Sequence, residues 1–256
     1  MNHRQAQTLG LFIVLAVLCG SAAAQSLENI LNRMEQAQSA SLAQSPYTLT
    51  RSYQFFGSDA NRMTSQVLAT VQFQPPDQKS YNIERSSGSG QGLKVVKKVL
   101  DHETQAARAP QAGEISRQNY DFRYVRSETR NGQLCHVLEM NPKRKERDSV
   151  HGQVWVDADT FLIQHVEGEL AKSPSWWIKD VHVAADYGRL AGIWLQTSLL
   201  AVANVRILGK HSMLAQDLSC QKSGEMAASL QPAPIPASRA VKHRRIWTPP
   251  ATILKP

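Results

Sequence analysis

The sequence predicts a mainly β fold of the α+β type, built on one large curved antiparallel sheet with few helices. The clearest evidence is the alternation of apolar and polar residues along 47–55 and 66–73, which is typical of half-buried antiparallel strands. Turn signals then recur about every ten residues up to residue 221, as in sandwiches and barrels. Only two stretches have helical periodicity. We therefore expect roughly ten strands in one domain of residues 25–221.

The N-terminus predicts export. A short positive start, Met1–Arg4, precedes an apolar run, Leu9–Leu18, that is too short to span a bilayer. Ala22–Ala24 supply the small residues that a signal peptidase accepts. These features predict a signal peptide over residues 1–24, cleaved before Gln25, and a periplasmic protein. A lipid anchor on Cys19 is the rival interpretation, which the bulky Leu18 before that cysteine disfavours.

The 256-residue chain carries a formal charge of +8. One basic cluster, Lys143–Arg147, is best explained as a solvated hairpin tip. A second cluster lies in residues 222–256, where repeated prolines without periodicity predict a disordered basic tail. Export argues against nucleic acid as a partner of either cluster.

Two segments read as helices, and turn signals divide the strands. Ser26–Gln38 has an apolar face with Ser26 as its cap, and Leu93–Arg108 has a short apolar stripe. The glycine-rich Ser86–Gly92 precedes the second helix, but Leu93 stands where a phosphate-binding fingerprint needs a third glycine. A loop with three glycines favours large backbone changes, so this helix is either a movable lid or a fixed helix that fills the concave face. Asn131-Gly132 and Asp157–Thr160 predict two hairpin turns.

Residues that would carry catalysis are not arranged for it. His102 and Glu103 start like a zinc-protease helix, but Ala106 occupies the second histidine position. His165 with Glu167 and Glu169, and His182 with Asp180 and Asp186, fall on single strand faces, where a cation site or an ordinary polar outer face gives the same pattern. We favour the polar face and predict no enzyme activity, no cofactor and no metal. A secreted metal-dependent hydrolase remains the rival from another class.

Apolar side chains exceed what two short helices can cover, which predicts a curved sheet that encloses a ligand cavity. The candidate lining residues lie in the predicted strands and the second helix: Tyr53, Phe55, Val71, Phe73, Val96, Leu100, Phe122, Tyr124, Val154, Val156, Trp177 and Val181. Trp177 and Val181 are predicted to share one face of the strand after residue 175. Cys135 and Cys220 remain after cleavage, either as a disulfide or as two separate small buried residues.

The chain resembles the outer-membrane lipoprotein-sorting proteins, the LolA-like and LolB-like carriers with the related envelope-stress sensor domains. The resemblance rests on the exported start, the first helix, Gly152–Asp157 followed by Phe161–Gly168, and the segments Pro142–Lys145 and Ser173–Lys179. It implies an unclosed β-barrel with helices on its concave face that binds acyl chains of lipids or lipoproteins. No binding residue of the family can be matched to a position here, and the basic tail departs from the simple carriers.

The function predicted from these observations is a non-enzymatic periplasmic carrier in lipid or lipoprotein sorting. Its expected partners are a lipid or acylated lipoprotein and an inner- or outer-membrane protein, with the carrier itself a monomer. The alternative is an envelope-stress or interaction module that docks another envelope protein through its sheet or tail.

Overall fold

A computed structural model of the chain describes residues 27–41, 45–109, 113–146 and 148–222. The predicted signal peptide, Cys19, the cleavage site before Gln25 and residues 223–256 of the predicted tail lie outside these ranges and stay predictions.

The described residues form ten antiparallel strands in one sheet, in the order β3-β2-β1-β10-β9-β8-β7-β6-β5-β4. The sheet is not closed into a barrel, which confirms the predicted fold class. Every neighbouring pair is consecutive in sequence except β1 and β10, which are the third and fourth strands of the ten. The strands are β1 Tyr47–Phe56, β2 Met63–Gln74, β3 Gln78–Gly88, β4 Tyr120–Arg130, β5 Gln133–Pro142, β6 Val150–Asp157, β7 Ile163–Leu170, β8 Ile178–Leu190, β9 Ile193–Val205 and β10 Gly209–Lys222.

The described residues also form two helices, α1 over 27–41 and α2 over Gly90–Ala106. The expected flexible loop before α2 is wrong, because β3 runs to Gly88 and the helix starts at Gly90. Gly92 serves close packing instead: a Cβ there would lie 2.3 Å from Oγ of Ser65. Neither helix of the described part of the chain is long and apolar enough to cross a membrane.

Both predicted hairpin turns are confirmed. Asn131 and Gly132 adopt φ of 52° and 84°, the left-handed conformation that a two-residue hairpin requires, and they join β4 to β5. In the β6–β7 turn, Oδ1 of Asp157 accepts hydrogen bonds from the Asp159 and Thr160 amides at 3.1 and 2.7 Å and from the Thr160 hydroxyl at 2.9 Å. The side chain of Asp157 therefore accepts the hydrogen bonds of the turn amides at the point where the chain reverses and strand pairing ends.

One row of directly paired residues crosses all ten strands, and directly paired residues share a face of the sheet. From β4 to β3 the row is Tyr124, Leu138, Val154, Val166, Ala185, Leu199, Ala215, Tyr53, Val67 and Ser86. Its β5–β7 members pack with α1, and its β1, β2 and β10 members pack with α2. Both helices therefore lie on the same side, which we call the helical face; the opposite side is the outer face.

Candidate functional site

Half of the predicted cavity residues lie beneath α2. Val96 and Leu100 of the helix are buried among Tyr53 and Val71 of the sheet, with Phe55 and Phe73 packed at the margin. The ring of Phe73 stacks on Tyr47 with centroids 5.2 Å apart. These six residues are thus brought together on the helical face, where helix side chains fill the space between them.

A second apolar cluster forms beneath α1. Ile30, Leu31 and Met34 of the helix are buried against Val154 and Val156, two of the predicted cavity residues. A third, Phe122, packs partly buried at the edge of this cluster. The guanidinium of Arg33 lies 3.7 Å from the ring centroid of Phe161, so α1 also covers the β6–β7 turn through a cation–π contact.

Strands β8 and β9 form the part of the helical face between the two clusters. Val181 pairs with Ala203, Val183 with Ala201 and Ala185 with Leu199, so mostly small side chains face the helical side there. Val181, Val183 and Ala185 are buried yet are part of neither helix-covered cluster. The predicted site residue Val181 therefore lies between the two clusters.

Two predicted cavity residues are placed differently from the rest. Tyr124 lies on the rim, 40% exposed, with its hydroxyl 2.8 Å from Oγ of Ser127. Trp177 precedes β8 instead of sharing a strand face with Val181, and it is 52% exposed. The next strand, β8, starts only at Ile178, because the Ser173 hydroxyl donates hydrogen bonds to the carbonyls of Ser175 and Ile178 and holds the segment before it as a compact loop.

A buried ion network, which the sequence analysis did not identify, ties α2 to the sheet. Arg51 of β1 contacts Asp217 of β10 at 2.5 Å and Glu103 of α2 at 2.9 Å, and Lys79 of β3 reaches the same Glu103 at 3.0 Å. Burial opposes ionisation of Glu103, but the charges of Arg51 and Lys79 outweigh it and lower its pKa. The carboxylate therefore stays charged. An arginine at an inward position of β1, where the alternation calls for an apolar residue, is the sequence signal for this network.

A cleft of about 650 Å³ opens beside the network, at the C-terminal end of α2. Its walls come from the start of β1, the end of β2, the start of β3 and Arg108. Lys79 and Asp77 make it polar, and of the predicted cavity residues only Phe73 reaches it. This cleft is therefore not the apolar cavity that the sequence predicts.

The histidines and carboxylates of β7 and β8 form one network on the outer face. His165 Nδ1 lies 2.7 Å from Asp186 Oδ1, and His182 Nε2 lies 3.2 Å from Glu167 Oε1. Nη2 of Arg130 is 3.1 Å from the same Asp186 oxygen. The expectation of an ordinary solvent-facing set is wrong for His165, which is 4% exposed beneath the edge of Trp155.

These contacts decide the charge states on the outer face. Burial opposes charging of His165, but hydrogen bonds to Asp186 and Glu167 outweigh it and raise the pKa of His165. The hydrogen bond from His165 in turn holds the pKa of Asp186 well below its ordinary range. Within the described residues no group of three His, Cys, Asp or Glu side chains is arranged to hold a metal ion. The imidazoles and carboxylates pair with one another instead, although Nε2 of His165 lies as far as 3.5 Å from Glu167 Oε2.

The two cysteines of the described residues are both free, so the disulfide alternative is not realised. Cys135 is buried with Val137 and Trp155 on the outer face, whereas Cys220 packs at the edge of the cluster beneath α2. Four strands separate β5 from β10 in the sheet, far beyond the Cα separation that a disulfide spans.

These elements define an open ten-stranded antiparallel sheet with two helices on one face, the architecture that the sequence resemblance implied. No protein-family model matches the chain, and no curated protein matches it either.

Solved structures with a similar fold are distant in sequence. A DUF1329 family protein from Desulfovibrio piger matches at 13% identity and a TM-score of 0.41, over 80% of this chain and 95% of that one. A putative outer membrane lipoprotein-sorting protein domain from Vibrio parahaemolyticus matches at 14% identity and a TM-score of 0.40, over 77% of this chain and 94% of that one. The LolA superfamily protein NE2245 from Nitrosomonas europaea matches at 10% identity and a TM-score of 0.38, over 76% of this chain and 92% of that one. The names of the second and third neighbours are those of the lipoprotein-sorting and LolA-like proteins that the sequence resembles.

Proposed function

We propose that this chain is an exported, non-enzymatic binding protein of the periplasm that holds acyl chains of lipids or lipoproteins against the helical face. The observation that carries the proposal is the mostly apolar row that crosses the sheet, covered by α1 at β5–β7 and by α2 at β1, β2 and β10. A carrier in lipid or lipoprotein sorting needs such a surface, since each methylene moved out of water contributes about 0.8 kcal/mol.

The small residues of β8 and β9 supply the floor on which a chain would begin to bind. Ala185 and Ala203 present little bulk to the helical side between the Val154 cluster and the Tyr53 cluster, and Ala201 does so at the margin of the Tyr53 cluster. An acyl chain that lies along these strands contacts apolar side chains on both flanks. It therefore gains burial before either helix has to move.

Full burial of a long chain requires α2 to give way. The helix covers its cluster with Val96 and Leu100 buried and Leu93 and Val99 partly buried, a stripe whose area one acyl chain can replace. Displacement of α2 would present Tyr53, Phe55, Val71 and Phe73 to the ligand, which are the residues that the sequence analysis selected. The proposal thus links ligand entry to movement of one helix.

Two neighbouring positions on β9 test which face binds. Ala201 faces the helical side, where it pairs with Val183, and Val202 faces the outer side, where it pairs with His182; both are half-buried. We expect Ala201→Trp to weaken binding of a fluorescent fatty acid about tenfold by filling the floor, a loss of about 1.4 kcal/mol. Val202→Trp adds similar bulk on the other face and should leave the affinity unchanged.

Native mass spectrometry of the chain purified from its own envelope tests the ligand class directly. Co-purifying lipid or acylated peptide, displaced by added fatty acid, is the expected result. Protein that is consistently empty and ignores fluorescent fatty acids in solution would rule the proposal out, as would equal effects of the two tryptophan variants.

A further inference from the structure

Four large apolar side chains are exposed together at one end of the sheet. Trp176 and Trp177, in the β7–β8 loop, are 71% and 52% exposed, and Ile207 and Leu208, in the β9–β10 hairpin, are 100% and 64% exposed. We call these four residues the tip patch. Soluble proteins seldom expose large apolar side chains side by side unless the surface meets a partner or a membrane.

Ring stacking and hydrogen bonds hold the two loops of the tip patch in place. The two indole rings stack with centroids 3.9 Å apart. Arg206 joins the two loops, because its amide donates to the Trp177 carbonyl at 2.7 Å and its Nε donates to the Trp176 carbonyl at 2.8 Å. Hydrogen bonds of the Ser173 hydroxyl hold the loop that carries the tryptophans. The apolar groups are therefore fixed in an outward position.

Basic side chains surround the tip patch. The β5–β6 loop meets the β7–β8 loop where the Ala171 amide donates to the Ser149 carbonyl at 2.7 Å. The exposed basic residues of the three loops and the strand ends beside them are Lys143, Arg144, Lys145, Lys172, Lys179, Arg206 and Lys210. The acidic residues of the same described segments are Glu146, Asp148, Glu169 and Asp180, so these segments are net positive.

We propose that the tip patch docks the protein peripherally on an anionic bilayer surface. Tryptophan favours the headgroup region of a membrane, aliphatic side chains enter the acyl boundary below it, and each basic residue near an anionic surface adds about 1 kcal/mol of attraction. The loops at the tip supply all three kinds of side chain. A purely apolar protein partner would explain the four apolar residues but not the basic residues of the same loops.

This docking surface is separate from the proposed ligand face, because none of its four apolar residues belongs to either helix-covered cluster. The inference therefore survives if acyl-chain binding fails, and the two can be tested independently. Basic residues in the predicted tail also have affinity for anionic lipid, so the experiment has to distinguish the tail from the tip.

The test is sedimentation of the full chain without residues 1–24 with vesicles that contain phosphatidylglycerol. We expect Trp176→Ser with Trp177→Ser, and separately Ile207→Ser with Leu208→Ser, to weaken binding at least about tenfold. The matched control is Leu134→Ser with Leu218→Ser, two similarly exposed leucines away from the tip, which should bind like the wild type. Circular dichroism and thermal unfolding verify that each variant is folded.

The lipid composition of the vesicles and the salt concentration test the electrostatic part of the proposal. Binding should be weaker to phosphatidylcholine vesicles and should weaken as the ionic strength rises. The double variant Lys172→Gln with Lys179→Gln should lower the affinity about tenfold or more. A variant with Arg239, Lys242, Arg244 and Arg245 changed to Gln reports the contribution of the tail. The proposal is overturned if the wild type ignores anionic vesicles, if the tip variants bind equally well, or if the tip variants only abolish self-association in gel filtration.

Discussion

Nδ1 of His165 and Oδ1 of Asp186 lie 2.7 Å apart on neighbouring strands of the outer face, with Arg130 Nη2 within 3.1 Å of the same oxygen. The carboxylate accepts from the ring and from the guanidinium, which orders three charged or chargeable groups on one side of Trp155. Because one member is a histidine, this contact makes stability depend on pH near neutrality.

The first prediction concerns that pH dependence. The pKa of His165 is raised in the folded protein. Its contribution to the free energy of unfolding is therefore complete below the pKa of an unfolded histidine, and it is lost as the pH rises through the higher pKa of the folded state. The lowered pKa values of Glu167 and Asp186 give a contribution that is lost only as pH falls well below 4. The chain should be most stable between about pH 5 and 6, with a melting temperature about 2–4 °C lower at pH 8.5. Asp186→Asn should flatten this slope and the exposed His151→Gln should not; an unchanged slope in Asp186→Asn would contradict the assignment.

The second prediction concerns the ion network beneath α2. Replacement of Arg51 by Leu leaves the Asp217 side chain, which has 0% exposure, buried without its partner. We expect a loss of about 3–5 kcal/mol in the free energy of unfolding, measured by urea denaturation. Arg123→Ala breaks a surface pair with Glu139, in which the arginine is 71% exposed, and should change stability by less than about 1 kcal/mol. Equal effects of the two variants would show that the buried pair contributes no more than a surface one.

The third prediction concerns Gly152 and Gly168, which lie directly opposite each other in β6 and β7. A Cβ on Gly152 would be 2.1 Å from the Glu167 carbonyl oxygen, and one on Gly168 would be 2.3 Å from that of His151. Gly152→Ala should therefore destabilise the fold by about 1–3 kcal/mol or more, because backbone must move. Gly90→Ala, where nothing lies within 4 Å of the added Cβ, should be neutral or slightly stabilising in thermal unfolding.

The fourth prediction concerns α2 as a movable lid. Hydrogen exchange should be faster in residues 90–106 than in β1 and β10, and ligand should change it. The reason is that α2 packs on one face of the sheet through side chains, whereas β1 and β10 are each hydrogen-bonded to strands on both sides. Glu103→Gln removes the charge that Arg51 and Lys79 hold, so exchange of the helix should accelerate. Glu84→Gln, at an exposed position of β3, is the control. The lid is contradicted if the helix and the sheet are equally protected from hydrogen exchange and neither variant nor ligand changes that protection.

The strands were predictable because their chemistry is local. Alternation along β1 and β2, Asn131-Gly132 and the Asp157 turn act through neighbouring residues, so the sequence alone indicates them. The partnership of β1 with β10 joins residues far apart in the chain, and nothing near Tyr53 specifies Ala215 as its neighbour. Three members of the row, Tyr53, Tyr124 and Val154, were therefore predicted as cavity residues, but their order in the sheet was not.

The polar sites were harder for the same reason. His165 and Asp186 are on separate strands, and only the register of β7 against β8 makes them partners. Arg51 looks like an interruption of an apolar strand until α2 brings Glu103 above it. Trp177 was assigned to a strand because its neighbours fit the alternation, while the hydrogen bonds of Ser173 that end the pattern act across the loop.

The pairing of the first strand, β1, with the last, β10, also affects the order in which the molecule can fold. Strands β4 to β10 follow one another as hairpins and can pair as they are synthesised, because each new strand finds its neighbour within a short loop. The earlier unit of β1, β2, β3 and α2 is synthesised first but has no sheet to join until residues 209–222 arrive. Its apolar face stays exposed for the whole of that interval, so the first third of the chain is the part that most needs protection from aggregation while the last strand is awaited.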